Sequence, residues 1–243
     1  MKAGLSLIVA LGFLVLATQP VLSQEISVDF GDQNSLTARS LQLIALITIL
    51  SLAPGLAIMI TCFPFVVTVL SILRQAIGLQ QAPPNMLIVS LALFLTYFVM
   101  DPVFQEAWSN GLQPLSNNEI AIEQAVTRTL APFRVFMAAR LDLETCQALG
   151  ELRNLQHEGP VGDAPLSVLI PSFMLSEIER AFQIGFLIFL PFLIIDLVVA
   201  AILMSMGMMM VPPVIVSLPF KLAFFVVADG WSLIAESLVR GYH

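Results

Sequence analysis

Long apolar stretches separated by short polar ones run along most of the chain, and they predict membrane-spanning helices. Two lie in the last third, at 182–203 and 214–238, and each is long enough to cross a bilayer as a helix. A short loop reverses the chain between them. We therefore predict a helical hairpin over 177–243.

A further apolar stretch, 41–73, contains Pro54 and Pro64. Proline removes a backbone donor and clashes with the preceding turn, so this stretch can hardly form one straight helix. The polar turn 74–84 follows, and another apolar run leads away from it. The pattern predicts a first helical hairpin over 41–109.

The region 110–176 is the one block with the composition of a soluble domain. Apolar positions at helical spacing predict an amphipathic helix that starts near Ser116 and ends at Pro132, and 133–143 is predicted to be a second helix. The positions at that spacing are Ile122, Ala125, Val126, Thr129 and Leu130. The block shows no alternation of apolar and polar residues of the kind that is typical of strands. The expected fold is therefore all-α: a multi-pass helical membrane protein with two long helical hairpins and a small helical exported block.

The first 23 residues have the features of a secretory signal peptide: an early lysine, a short apolar core and a polar end. Cleavage between Ser23 and Gln24 fits this pattern. The alternative is an uncleaved first helix, but a core of about twelve apolar residues is short for a span. Cleavage would leave 24–40 as an exported leader, place the block 110–176 in the periplasm and turn the loop of the second hairpin toward the cytoplasm.

Composition agrees with a membrane protein and narrows the possible functions. Of the 243 residues, 58% are hydrophobic and 11% charged. A net charge of -7 without a basic stripe argues against nucleic acid as a partner. The two cysteines, Cys62 and Cys146, fall in different kinds of segment and are expected to be free.

The sequence offers no motif for catalysis or for a cofactor. With only His157 and His243 available, a histidine-built metal site is impossible, and the motifs of nucleotide-binding loops, zinc proteases and serine hydrolases are absent. We expect no catalytic, cofactor-binding or metal-binding residues, and no enzyme activity.

One charge lies deep in each arm of the second hairpin, Asp196 in the first and Lys221 in the second. Each is about twelve residues from the loop, so an antiparallel hairpin brings them to the same depth, where they could form an intramembrane pair. The alternative is that Lys221 extends toward an interface while Asp196 meets a neighbouring subunit.

The loop of this hairpin is rich in methionine. Five of the eleven methionines fall within seven residues: Met204, Met206, Met208, Met209 and Met210. Methionine is flexible and polarizable, so such a loop could close an opening or accommodate varied side chains. From the residues alone, a hydrophobic turn packed against a neighbour is favoured over a gate.

Three stretches carry a family resemblance. They read PSFMLSEIERAFQIGF at 171–186, PFLIIDLVVAAILMSMGMMMVPP at 191–213 and SLPFKLAFFVVADGW at 217–231. In these stretches the chain resembles the flagellar biosynthetic protein FliP family.

The resemblance implies a core subunit of the type III protein export gate in the bacterial inner membrane, at the flagellar basal body. It implies a homo-oligomeric ring together with FliQ-like, FliR-like and FlhB-like subunits, through which unfolded flagellar proteins pass. It also implies that the gate loop consists of Met206, Met208, Met209 and Met210.

Three other functions remain possible from the sequence. The homologous subunit of a virulence injectisome shares these signatures. An ion channel or transporter could use Asp196 and Lys221 as a relay. A membrane scaffold would need neither the methionines nor the charges for transport.

Overall fold

The computed structural model describes residues 36–79, 82–155, 159–208 and 210–242. This part of the chain is helical and contains no strand, which confirms the all-α prediction. The chain divides into two compact units between Leu46 and Ile47, inside the first helix. Apart from the start of this helix, the structural description below concerns the second unit.

In the part of the chain that the structure describes, nine α-helices follow one another, and two short helical turns interrupt them. The helices are α1 (Leu36–Met59), α2 (Phe63–Ile77), α3 (Asn85–Ala107), α4 (Gln113–Ser116), α5 (Ile122–Arg140), α6 (Leu143–Leu152), α7 (Leu166–Ser205), α8 (Pro213–Val227) and α9 (Gly230–Arg240) among the described residues. A π-helical turn at Trp108–Leu112 joins α3 to α4, and a 3-10 turn at Val161–Asp163 precedes α7.

The apolar stretch 41–73 is broken, as its prolines predicted. Helix α1 ends at Met59, and α2 begins at Phe63 with Pro64 in its first turn, where a missing backbone donor has no cost. Pro54 is accommodated inside α1. Helix α2 ends at Gly78, whose φ of 90° is left-handed and favours glycine.

The main core lies where α2 packs against α7. One face of α2 is buried along its whole length, at Phe65, Val66, Val69, Leu70, Leu73, Ala76 and Ile77. Helix α7 contributes Ala181, Gly185 and Phe192 to this contact. A Cβ atom at Gly185 would lie 2.4 Å from Cδ1 of Ile72, so glycine is what allows the two helices to approach this closely.

Four expectations about helix ends were wrong. The helix predicted in the block 110–176 begins at Ile122 rather than near Ser116, and it continues through Pro132 to Arg140 instead of ending there. Tertiary packing explains the second difference, because Phe133 and Met137, just beyond the proline, are buried against other helices. The face predicted to be apolar is buried at Ala125, whereas Ile122 is exposed.

The third difference concerns the second arm of the second hairpin. The stretch 214–238 is two helices, α8 and α9, bent by 61°. Asp229, between them, has a left-handed φ of 47°. Gly230 follows, and a Cβ there would lie 2.2 Å from the Phe225 ring. The bend therefore depends on a backbone turn and on close aromatic packing.

The first arm is longer than expected, because α7 runs for 40 residues from Leu166. The boundary that we placed between residues 176 and 177 thus falls inside a continuous helix. Within the described residues, three helices are long and apolar enough to cross a membrane, and a fourth span results if α8 and α9 count as one.

Candidate functional site

The loop between α7 and α8 is built by local backbone geometry. Gly207 has a left-handed φ of 73°, and its N–H donates to the carbonyl of Met204 at 3.1 Å. The N–H of Met208 donates to the carbonyl of Leu203 at 2.9 Å. This pair of bonds is the Schellman motif, which satisfies free carbonyls at a helix end. Pro212 and Pro213 then start α8, so the turn is defined at both ends.

The described methionines of this loop are exposed in the subunit. The exposed fraction is 67% for Met206, 42% for Met208 and 98% for Met210. Met209, the fourth residue of the predicted gate loop, lies outside the described residues. A cluster of exposed apolar side chains on one defined turn is typical of an interaction surface or a constriction, not of a packed core.

Asp196 and Lys221 lie in direct contact. Lys221 Nζ is 2.5 Å from Asp196 Oδ2, and the Lys221 residue is 3% exposed. The structure thus brings the two predicted residues together within one subunit. The Asp196 side chain is 30% exposed, so the pair is open on the side of the carboxylate.

Two further groups form hydrogen bonds with this charge pair. Ser217 on α8 donates its hydroxyl to Asp196 Oδ1 at 2.5 Å. Lys221 Nζ also donates to the backbone carbonyl of Ala76 at 3.2 Å, in the last turn of α2. A cation near the carbonyl end of a helix is favourable because the helix dipole is negative there. The four groups join α2, α7 and α8, and only the two charges were visible in the sequence pattern.

A second polar cluster, centred on Glu177, was not predicted. The Glu177 side chain is 0% exposed. Arg140 Nε donates to Glu177 Oε1 at 2.9 Å, and an Arg180 nitrogen donates to the same oxygen at 3.1 Å. The Tyr242 hydroxyl donates to Oε2. Burial and the neighbouring carboxylate raise the pKa of Tyr242, so the phenol stays protonated and able to donate.

A sequence signal for part of the Glu177 cluster did exist. Glu177 and Arg180 are spaced i,i+3 on one helix, which places them on the same face. Arg140 and Tyr242 lie 37 and 65 residues away from Glu177, so spacing could not have revealed them.

The other predicted positions add no chemistry. Cys62 and Cys146 are both free thiols, in agreement with the expectation. The described ranges hold no group of three or more histidine, cysteine or acidic side chains able to bind a metal ion. Ser23 and Gln24, the predicted cleavage position, lie outside those ranges.

Comparison with known proteins finds the chain similar to members of one family. The sequence model described as the FliP family matches residues 46–238. The chain is 44% identical over 240 residues to the flagellar biosynthetic protein FliP of Caulobacter vibrioides, an alignment that covers 99% of this chain and 90% of the relative. It is 45% identical to the protein of the same name from Aquifex aeolicus, with 96% and 98% covered. For the Bacillus subtilis protein the identity is 44%, with 84% and 92% covered.

Proposed function

Because the chain belongs to the FliP family, and is therefore a membrane-embedded component of the flagellar export apparatus, we propose that it is a core subunit of the type III export gate. Copies of the chain form a ring in the bacterial inner membrane at the flagellar basal body, together with FliQ-like, FliR-like and FlhB-like subunits. Unfolded flagellar proteins pass through this ring. The role is structural and not enzymatic.

The exposed methionine loop is the observation that supports this function best. The turn itself is fixed by Gly207 and the two prolines after it, yet the described methionines of the loop are exposed in the subunit. Loops of this kind, brought together around an axis, would form an apolar constriction. Such a constriction excludes water and ions while it is closed, and flexible thioethers can adapt to many passing side chains.

The contact between Asp196 and Lys221 has a supporting role in this proposal. It lies in the same hairpin as the loop and connects that hairpin to Ala76 at the end of α2. The loop is thereby held at a fixed depth relative to the first hairpin. A relay for ions, the alternative use of these charges, is less well supported, because Lys221 is buried and satisfied by two acceptors within the subunit.

Ion leak across the membrane tests the seal. We expect the triple variant Met208→Ala, Met209→Ala, Met210→Ala to increase closed-state conductance in assembled complexes, because the constriction loses its filling side chains. The matched control is Met86→Ala on α3, a methionine that is 78% exposed outside the loop. Unchanged conductance in the triple variant would contradict the proposed seal.

Native mass measurement of the detergent-extracted complex tests the assembly. The gate predicts a large complex of this chain with unlike subunits. A purified chain that conducts ions alone would instead support a channel.

A further inference from the structure

The ring of Tyr242 contacts two helices, α2 and α5. It follows α9, and its ring lies edge-on to Phe65 of α2, with centroids 5.5 Å apart. The ring is nearly parallel to that of Phe136 on α5, at 6.0 Å and 13°. The guanidinium carbon of Arg140 lies 3.7 Å from the centre of the same ring, which is within the range of a cation–π contact.

Polar groups of residues 241 and 242 form hydrogen bonds with the Glu177 cluster. The Tyr242 hydroxyl donates to Glu177 on α7, and Arg140 donates to the backbone carbonyl of Gly241 at 2.9 Å. Arg180 in turn donates to the backbone carbonyl of Arg140 at 3.2 Å. Without the phenol, Oε2 of the buried Glu177 would lose its donor.

The helix before Tyr242 is otherwise weakly held. Helix α9 has only eleven residues and follows a 61° bend. Its buried side chains are Ile234 and Leu238, while Leu233 is 60% exposed. A helix this short is marginal alone and depends on tertiary contacts.

We propose that Tyr242 is a positioning residue: by completing the Glu177 cluster, it holds the C-terminal end of α9 against α5 and α7. The orientation of α9 relative to α8 is then set by this contact as well as by the turn at Asp229. This role is separate from that of the methionine loop and does not depend on the proposed seal.

A double-mutant cycle on the full chain in detergent tests the proposal. We expect Tyr242→Phe, which removes only the hydroxyl, to raise amide hydrogen exchange in residues 230–240 about ten-fold, because a hydrogen bond to a charged group is lost. In a Glu177→Gln background the same change should have less than half that effect, since Tyr242 acts through Glu177. The matched control is Tyr97→Phe, at the other tyrosine of the sequence, which is 61% exposed.

Three outcomes would overturn the proposal: unchanged exchange in α9, an equal effect in both backgrounds, or a uniform rise in all helices. If Glu177→Gln does not yield folded protein, Tyr242→Leu supplies an independent test. This variant also removes the ring, so it must raise exchange in α9 beyond the level of Tyr242→Phe. Equal values would contradict the proposal, because they would show that the ring contacts of Tyr242 do not help to hold α9.

Discussion

The methionine loop and the Glu177 cluster lie near opposite ends of α7, about 40 Å apart at 1.5 Å per residue. At the loop, apolar side chains are exposed. At the cluster, a carboxylate is fully buried. The cluster finds its partners within the subunit, whereas the described methionines of the loop stay exposed. The comparison suggests that the side chains of the Glu177 cluster gain their contacts when the subunit folds, whereas those of the loop gain theirs when subunits assemble.

The largest effect is expected from removing the centre of the buried cluster. Glu177→Ala leaves Arg140 and Arg180 without their carboxylate, and breaking a buried ion pair costs about 3–5 kcal/mol. Because Arg180 is partly exposed and can reach solvent, we expect about 3 kcal/mol, at the lower end. Denaturant unfolding of the detergent-purified subunit measures this loss.

The control for that variant lies two residues along the same helix. Glu179 is exposed, so Glu179→Ala should change the free energy of unfolding by less than about 0.5 kcal/mol. Equal losses for the two glutamates would remove the distinction between a cluster completed on folding and an ordinary charged surface.

A smaller effect is expected at the charge pair between these two regions. Lys221→Met removes the cation but leaves Ser217 bound to Asp196, whose side chain is partly exposed, so we expect about 2 kcal/mol. Unfolding of the purified subunit measures this cost, and recovery of the complex from membranes measures its effect on assembly.

The exchanged double variant, Asp196→Lys with Lys221→Asp, tests whether the two charges support each other. If the two residues support each other, the exchange should restore part of the assembly lost in either single variant. Full rescue is not expected, because a carboxylate at position 221 would face the carbonyl of Ala76. Absence of any rescue would indicate separate partners for the two charges.

The smallest effect is expected in the loop, where backbone geometry and not side-chain packing fixes the turn. At Gly207, φ is 73° and a Cβ would meet nothing within 4 Å, so Gly207→Ala should cost about 1 kcal/mol from backbone strain alone. Hydrogen exchange at the end of α7 measures this loss. Gly55, inside α1, has equal space but no positive φ, and Gly55→Ala should be neutral or stabilising. A loss at Gly55 as large as that at Gly207 would contradict this explanation.

Much of the architecture followed from local pattern. The apolar runs identified the helices, and Pro64 marked a real break between α1 and α2. Pro132 was misleading, because burial of the residues after it outweighs the cost of a proline inside a helix. The bend at Asp229 was missed because apolar residues continue on both sides of it, although Asp229-Gly230 is a dipeptide typical of turns.

The sequence by itself determined the helical class, the family, the methionine loop and the equal depth of Asp196 and Lys221, because each depends on composition or on spacing within one hairpin. Only the tertiary structure decided that Lys221 also binds α2 and that Glu177 is buried beside Arg140 and Tyr242. Those contacts join residues tens of positions apart. Which of them meet is set by how α2 and α5 pack against α7, and no local periodicity records that packing.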